Sequence, residues 1–117
     1  MAKPEMEVQD VEHIPWQLTK GGGNAPGIYE RILSNDPETG NITRLVKVDP
    51  GMETFEIASH DAWEELWIIK GGMIDKRNNQ VFTDGMYGCR PPGTEHGPFS
   101  FPIGALMLEF RYRGDID

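Results

Sequence analysis

The chain of 117 residues contains a single cysteine, Cys89, and no apolar run long enough to cross a bilayer. A lone cysteine excludes an internal disulfide, and a thiol in a strand-like segment more often packs than reacts. The longest apolar runs span only residues 66–69 and 105–108. The amino-terminal residues show no apolar core of a signal peptide. We therefore expect one small domain that resides in the cytoplasm and does not contact a membrane.

Basic residues are also scarce, with 11 lysines and arginines against 19 aspartates and glutamates and a net charge of −8. Nucleic-acid binding requires a basic surface that releases counterions from phosphates, so we expect no nucleic-acid partner. Acidic residues crowd positions 53–65, a stretch that also contains His60. Either this cluster is a solvated rim, or part of it binds a cation that relieves the repulsion between carboxylates. The second interpretation is favoured because His60 and His96 can supply further ligands.

Turn signals rich in glycine, proline, asparagine and aspartate recur at short intervals, and one of them is the Gly71-Gly72 pair. Such spacing suits short antiparallel strands, and no long segment keeps a helical period. Many short strands with glycine and proline turns predict an all-β sandwich or barrel. The predicted strands span residues 28–33, 42–48, 54–58, 65–70, 80–83, 87–90 and 105–111.

The amino-terminal part differs in composition from the rest, because it carries three consecutive glycines and a proline before residue 27. We interpret residues 1–26 as an extended arm and residues 27–117 as a single domain. Such arms often lie across a partner subunit, so we expect a homodimer. The alternative is a frayed terminus.

Residues 85–96 bracket one histidine between glycine and proline turns. The glycines permit the positive backbone angles of tight turns, and two consecutive prolines stiffen the chain before His96. Upstream, His60 and Glu64 lie four residues apart in a segment that reads as extended, so strand alternation puts both side chains on one face. Two imidazoles and a carboxylate can then converge. The alternative is an ordinary surface or helix-capping pair.

This group of side chains suits a transition metal. Neutral imidazole nitrogens and a carboxylate oxygen favour Fe, Mn, Co, Ni or Zn over Ca or Mg. Two histidines and one carboxylate also leave coordination positions open, as in non-haem Fe(II) oxygenases and many hydrolytic zinc sites. An open site permits chemistry on a bound molecule.

Two sets of residues have the spacing of known sequence motifs. One set, in the pattern G-x5-P-x-G-x2-H, consists of Gly85, Pro91, Gly93 and His96. The other, in the pattern E-x6-G preceded by a histidine, consists of His60, Glu64 and Gly71. On these motifs the chain resembles the cupins over residues 27–112. It looks most like small cupins related to the metal-binding domain of anti-sigma factors and to acetylacetone-cleaving dioxygenases.

The resemblance implies a double-stranded β-helix, the jelly-roll cupin barrel, with a divalent metal bound by His60, Glu64 and His96. Fe(II) is the first expectation for that metal, and Zn, Mn or Ni are alternatives. Cupins usually carry one more histidine, at the position that Ala58 occupies here. Three explanations remain open, in this order: a looser three-ligand site, a replacement by Glu56 on the same strand face, or loss of the metal.

Further residues are candidates for chemistry around the metal. We assign catalytic roles to Glu64 and Arg90. Arg90 either anchors a carboxylate or enolate oxygen of a substrate or forms an ordinary ion pair with a glutamate. Large apolar side chains near the ligands predict a small apolar substrate pocket, formed by Trp63, Trp67, Tyr87, Phe99 and Met107.

The resemblance implies a metal-dependent oxidoreductase. Its model reaction is the oxygen-dependent cleavage of a carbon-carbon bond in a small diketone or hydroxy-ketone. The alternatives are a non-catalytic metal-binding or sensor domain, and an isomerase, lyase or hydrolase on the same fold. A barrel that has lost its site is a further possibility.

Overall fold

The computed structural model describes residues 3–19 and 27–113, which form nine β-strands and no helix. Every strand pair is antiparallel. The all-β prediction and the jelly-roll prediction are both confirmed. The strands are β1 Gln17–Leu18, β2 Ile28–Asn35, β3 Ile42–Val48, β4 Met52–Glu53, β5 Trp63–Asp75, β6 Gln80–Thr83, β7 Tyr87–Arg90, β8 Phe99–Phe101 and β9 Ala105–Tyr112.

The strand β5 belongs to both layers of the barrel. Its first part lies between β9 and β7, in the sheet that continues through β3, β2 and β1. Its last part pairs with β6 and β8 in the second sheet, which continues to β4. The long strand therefore joins the layers as the sheet curls.

The predicted turn at Gly71-Gly72 is wrong, because β5 runs through both glycines. The pairing of β5 with β9 shifts register between Ile68 and Lys70, and Gly71 has a φ of 90°. A Cβ atom at Gly71 would also overlap the carbonyl oxygen of Gly104. The glycine therefore lets the strand bend between the layers, where we had expected it to end the strand.

The segment 54–58 was predicted as a strand and is irregular instead. Only Ala58 makes a bridge, to His96, and Phe55 and Ile57 are exposed. Their apolar side chains suggested a strand with a buried face, but both side chains are exposed. Conversely, β8 was not predicted. Its three residues lie between two prolines, and so short a strand cannot show the alternation of apolar and polar side chains.

Alternating side chains of the strands fill the barrel. Its apolar core consists of Val46, Val48, Leu66, Ile68, Met73, Phe101, Ala105 and Met107. Farther along the same inner faces the buried residues become charged. Glu30, Glu64 and Glu109 are each less than a tenth exposed. The interior is therefore apolar in one part and ionic in the other, and the ionic part contains the predicted ligand Glu64.

The described amino-terminal segment lies on the outside of the barrel. Strand β1 pairs with β2, and the Trp16 ring lies beneath the cationic groups of Arg31 and Lys47, at 4.4 and 4.6 Å. Arg31 also donates from Nε to the carbonyl oxygen of Ile14, at 2.7 Å. Residues 1, 2 and 20–26 of the predicted arm lie outside the described residues. In the part of the chain that is described, no helix is long and apolar enough to span a membrane.

Candidate metal centre

The side chains of His60, Glu64 and His96 converge, and one ligand atom from each lies within 4.8 Å of the others. His60 lies before β5, separated from it by a bend at residues 61 and 62. Glu64 is the second residue of β5, and His96 lies between β7 and β8. The His60 and His96 rings have centroids 5.0 Å apart. Two segments that are distant in sequence, one with His60 and Glu64 and one with His96, thus meet at this site.

Backbone hydrogen bonds hold these loops together. The His96 N–H donates to Ala58 at 2.9 Å, and the Ala58 N–H donates back to His96 at 2.8 Å. The Gly93 N–H donates to the carbonyl oxygen of His60 at 2.8 Å. Gly93 has a φ of 83°, which only glycine adopts readily, so the turn after the prolines presses directly against His60.

Two imidazole nitrogens at this site lack hydrogen-bond partners. Nε2 of His60 and Nδ1 of His96 are the buried side-chain atoms without a partner among residues 3–19 and 27–113. Nε2 of His60 lies 3.2 Å from Oε2 of Glu64, without the geometry of a hydrogen bond. An imidazole nitrogen without a proton presents a lone pair, as does the carboxylate oxygen that lies close to it. They require a proton or a cation between them.

The carboxylate of Glu64 is buried but surrounded by positive groups. Nη1 of Arg90 donates to Oε1 at 2.8 Å, and Nε of Arg111 donates to Oε2 at 3.3 Å. Burial by itself raises the pKa of Glu64. The contact with His60 and the charge of Arg111 outweigh that effect and lower the pKa from 4.5 to about 2. Glu64 is therefore ionised at neutral pH, as a metal ligand must be.

Burial favours the neutral form of His96. Desolvation lowers the pKa of His96 below 6.5, Glu64 acts in the opposite direction, and Arg90 lowers it further. The neutral imidazole is the form that binds a metal. The donor set, its ionisation states and the unpartnered nitrogens all fit a divalent transition metal with open positions.

The position that Ala58 occupies supplies no fourth side-chain ligand. Glu56 is exposed, and it does not belong to the group of ligand atoms within 4.8 Å. The hypothesis that Glu56 replaces the missing histidine relied on a strand at 54–58, which is absent. The three-ligand site and the loss of the metal are therefore the alternatives that remain.

The five predicted pocket residues lie in different places. The Phe99 ring centroid is 6.0 Å from that of His96, and Met107 is buried in the core. Trp63, Trp67 and Tyr87 occupy the opposite face of β5 and β7 from Glu64, since they alternate with it or with its partners. Their placement does not support a role for their side chains beside the metal. Tyr87 instead donates its hydroxyl to Glu65.

Arg90 forms the ion pair that was one of its two predicted roles, and its partner is Glu64. The sequence reasoning missed a second group of charges that continues from it. Nε of Arg111 lies 3.1 Å from Glu109, and Arg44 bridges Glu109 and Glu30 at 2.7 and 2.6 Å. These residues continue the inward-facing positions of the core residues along β9, β3 and β2. A charged residue at every second position of a strand was the signal available for finding them.

A small cavity adjoins the centre along β5. It has a volume of about 100 Å³. Arg90 forms the wall nearest to Glu64, and the remaining lining is apolar. The lining residues are Leu66, Ile68, Met73, Phe82, Met86, Tyr87, Gly88 and Arg90.

Comparison with known structures finds the same barrel in proteins of low sequence identity. An RmlC-like cupin from Shewanella frigidimarina aligns over 98% of this chain and 96% of its own, with a TM-score of 0.71 and 18% identity. An acetylacetone dioxygenase from Acinetobacter johnsonii aligns over 93% and 74%, with a TM-score of 0.71 and 20% identity. The Rhodobacter sphaeroides complex of SigE with the anti-sigma ChrR aligns over 88% and 52%, with a TM-score of 0.63 and 19% identity.

At such identities these similarities establish the fold alone. Among curated proteins there is no significant match. The sequence itself, however, matches the family described as the ChrR Cupin-like domain over residues 4–113, which includes most of the predicted arm. This protein therefore belongs to the family of ChrR cupin-like domains.

Proposed function

We propose that the protein binds one divalent metal through His60, Glu64 and His96 and acts as a metal-dependent enzyme on a small organic compound. The observation that carries this proposal is the pair of buried nitrogens without hydrogen-bond partners, one of which faces Glu64 at 3.2 Å. Unpaired buried polar atoms cost about 1–3 kcal/mol each, and a bound cation removes that cost. Three ligands also leave positions for a substrate.

Fe(II) is the metal that we propose first, with Zn, Mn or Ni as alternatives. Two histidines and one carboxylate form the ligand set of non-haem Fe(II) oxygenases. When bound, the iron would supply a redox-active centre with open positions for dioxygen and for oxygen atoms of the substrate. No thiolate lies among the ligands, which disfavours a structural zinc site of the cysteine-rich type.

The side chains around the ligands have separate roles in this proposal. Arg90 donates to one oxygen of Glu64 and Arg111 to the other, and their charges keep the carboxylate ionised. Arg90 also reaches the cavity, where its guanidinium can stabilise a carboxylate or enolate oxygen of the substrate. Phe99 packs near the His96 ring and limits access of water to that side.

The finer proposal is a dioxygenase that cleaves a small diketone or hydroxy-ketone. Acetylacetone dioxygenases are among the structures with the same fold, and for this reason we favour this reaction over the other candidates. The open positions and the adjoining small cavity suit a chelating oxygen compound of low mass. The reaction needs dioxygen as its oxidant, so it is measurable by oxygen uptake.

The second candidate is a metal- or ligand-binding domain without turnover. Two observations favour it. The chain belongs to a family named for ChrR, and a structure with the same fold is the complex of SigE with the anti-sigma ChrR. In this case the metal stabilises the barrel by mass action and Arg90 serves only as an ion-pair partner. An isomerase, lyase or hydrolase at the same centre is a third candidate.

Oxygen uptake by the Fe(II)-loaded protein separates the candidates. We expect uptake above the metal-only background with at least one compound in a panel of diketones and hydroxylated aromatic ketones. His96→Ala should abolish it, whereas His13→Ala, which changes an exposed histidine outside the centre, should not. If no compound in the panel raises uptake, the dioxygenase proposal is wrong, and the binding domain and the isomerase, lyase or hydrolase are the candidates that remain.

We propose further that the chain forms a homodimer and that residues 1–26 act as an arm of the domain at 27–117. Exposed apolar side chains on the outer sheet face support a partner of the same kind, among them Trp67, Tyr87 and Phe110. Light scattering on the full chain tests this proposal. A monomer at micromolar concentration would contradict it.

A further inference from the structure

The cavity beside the metal centre has a composition that restricts its ligand. Arg90 is the only charged residue among those that line it, and the others are aliphatic, aromatic, methionine or glycine. The cavity is open to the surface, and two of its lining residues, Met86 and Tyr87, are exposed. Pockets of this kind bind an apolar group and orient it through the few polar groups at one end.

The position of the cavity relative to the ligands follows from strand geometry. Glu64, Leu66 and Ile68 are successive inward residues of β5, and the last two line the cavity. Inward neighbours on a strand stand about 7 Å apart. A molecule bound beside Glu64 can therefore extend its far end into the cavity within a few carbon-carbon bonds.

Charge balance at the centre favours a negative ligand. The arginines and glutamates of the ionic interior, Arg44, Arg90, Arg111, Glu30, Glu64 and Glu109, carry equal and opposite charges. A divalent metal bound to Glu64 adds two positive charges to this neutral set. Because uncompensated charge is costly in a partly buried site, an anion beside Arg90 lowers the free energy of the metal-loaded protein.

We infer that the substrate binds as a small anion, a carboxylate or the enolate of a ketone, whose charged end pairs with Arg90 and whose short aliphatic tail fills this cavity. The inference rests on the proposed function, because the anion is the molecule that the metal centre would act on. The volume of about 100 Å³ sets the tail length. A cavity of about 150 Å³ holds a benzene molecule, so this one holds a fragment of about three or four carbons.

Gly88 determines the size of the cavity. It pairs with Leu66, so a side chain at this position would point inward, and a Cβ atom there would meet nothing within 4 Å. Replacement by valine therefore fills the cavity without a clash. The neighbouring Cys89 is exposed and faces the opposite side of the same strand. The pair Gly88→Val and Cys89→Val compares the same new side chain inside and outside the cavity.

The test is calorimetric titration of anaerobic Fe(II)-loaded protein with glycolate, 2-hydroxybutyrate, 2-hydroxyhexanoate and 2-hydroxydecanoate. We expect the affinity to rise about fourfold for each methylene that enters the cavity, and to stop rising once the cavity is full. Gly88→Val should keep the affinity for glycolate and lose the gain with chain length. Cys89→Val should reproduce the wild-type series.

The charged end is tested with the amide of 2-hydroxybutyrate. We expect the acid to bind at least tenfold more tightly than the amide, and Arg90→Met to reduce that preference. Lys47→Met is the control, because Lys47 lies over the Trp16 ring on the outside of the barrel. Because Arg90→Met also removes a partner of Glu64, the Gly88 series decides the inference if this variant fails to bind metal.

Titration of the same proteins with Fe(II) alone is the separate test of the metal centre. Failure of the metal to bind contradicts the proposed function. Two results would overturn this inference without contradicting the metal centre. In both, the metal binds normally. In the first, the affinity for the hydroxy acids does not depend on tail length, and in the second, Gly88→Val keeps the wild-type dependence on tail length.

Discussion

Two neighbouring glutamates on β5, Glu64 and Glu65, have opposite surroundings. Glu64 points into the barrel and is 3% exposed, between two guanidinium groups and an imidazole. Glu65 points outward and accepts hydrogen bonds from two tyrosine hydroxyls. Strand alternation alone separates them. The same residue type therefore belongs to the candidate metal centre at one position and to the outer surface at the next.

The pKa of each carboxyl is lowered, but for different reasons. At Glu64, burial acts against ionisation, and the contact with His60 and the charge of Arg111 overcome it. At Glu65, hydrogen bonds from Tyr87 and then Tyr112 lower the pKa of a carboxyl that water also reaches. Loss of a partner is therefore costly inside the barrel, where water cannot replace it, and cheap outside.

The largest expected effect is that of Glu64→Gln. The variant should lose metal binding by at least about a hundredfold, since a neutral amide is a poor ligand. It also leaves Arg90 and Arg111 without their carboxylate, so the free energy of unfolding of the metal-free protein should fall by about 3 kcal/mol. Metal titration and urea denaturation measure the two effects.

The matched control is Glu65→Gln, which makes the same change one residue later on the outer face. It should bind metal with wild-type affinity. Equal loss of metal binding in the two variants would contradict the separation of the two faces.

A smaller effect is expected for Arg111→Met. Glu64 keeps Arg90 as a partner, and Arg111 is more exposed than Glu64, so the loss of stability should be about 1–2 kcal/mol. Metal affinity should not fall, because Arg111 and the metal compete for the same carboxylate oxygens. A loss of metal binding equal to that of Glu64→Gln would show that Arg111 positions the ligand and does not compete with the metal.

As the pH falls, the first loss of stability should come from His96. The pKa of His96 is lowered in the folded protein by burial, so the unfolded chain takes up a proton more readily as the pH falls below 6.5. Stability of the metal-free protein should therefore decrease from that pH downward. Glu64, whose folded pKa is also lowered, adds its own loss only below 4.5. Urea denaturation of His96→Gln between about pH 7 and 5 should show a shallower decrease, and an unchanged slope would contradict the assignment.

The smallest effect is expected for the pKa values of two tyrosines on the outer face. The hydrogen bond to Glu65 raises the pKa of Tyr112 to about 12, and the corresponding bond raises the pKa of Tyr87 further. Spectrophotometric titration should show these two phenolates forming well above pH 10. In Glu65→Gln the negative charge is gone, so their pKa values should move back toward 10. No movement would mean that Glu65 does not hold these hydroxyls.

The sequence predicted the parts of the centre that depend on local chemistry. Glycine and proline turns around His96 required a sharply bent chain, and the bridge to Ala58 places that bend beside His60. The spacing of His60 and Glu64 predicted a shared face in an extended chain. The chain instead bends at residues 61 and 62, and the two side chains still meet. The all-β fold followed from turn residues whose conformational preferences are strong.

The contacts that were not predictable join residues far apart in sequence. Arg111 reaches Glu64 across 47 positions, and this contact exists only because β9 pairs with β5 in one register. Trp63 and Trp67, which were predicted to line the pocket, lie on the other side of β5 from Glu64. Their size suggested burial, whereas their parity relative to Glu64 put them on the other face.

The most direct test of the central claim is elemental analysis of untagged protein, purified without chelators, by plasma mass spectrometry. His60→Ala and His96→Ala are measured beside it, with His13→Ala as the control. We predict close to one transition-metal ion per chain in the wild type and in the control, and little or none in the other two variants. The absence of metal from the wild type, even after reconstitution with Fe(II) or Zn(II), would contradict the account.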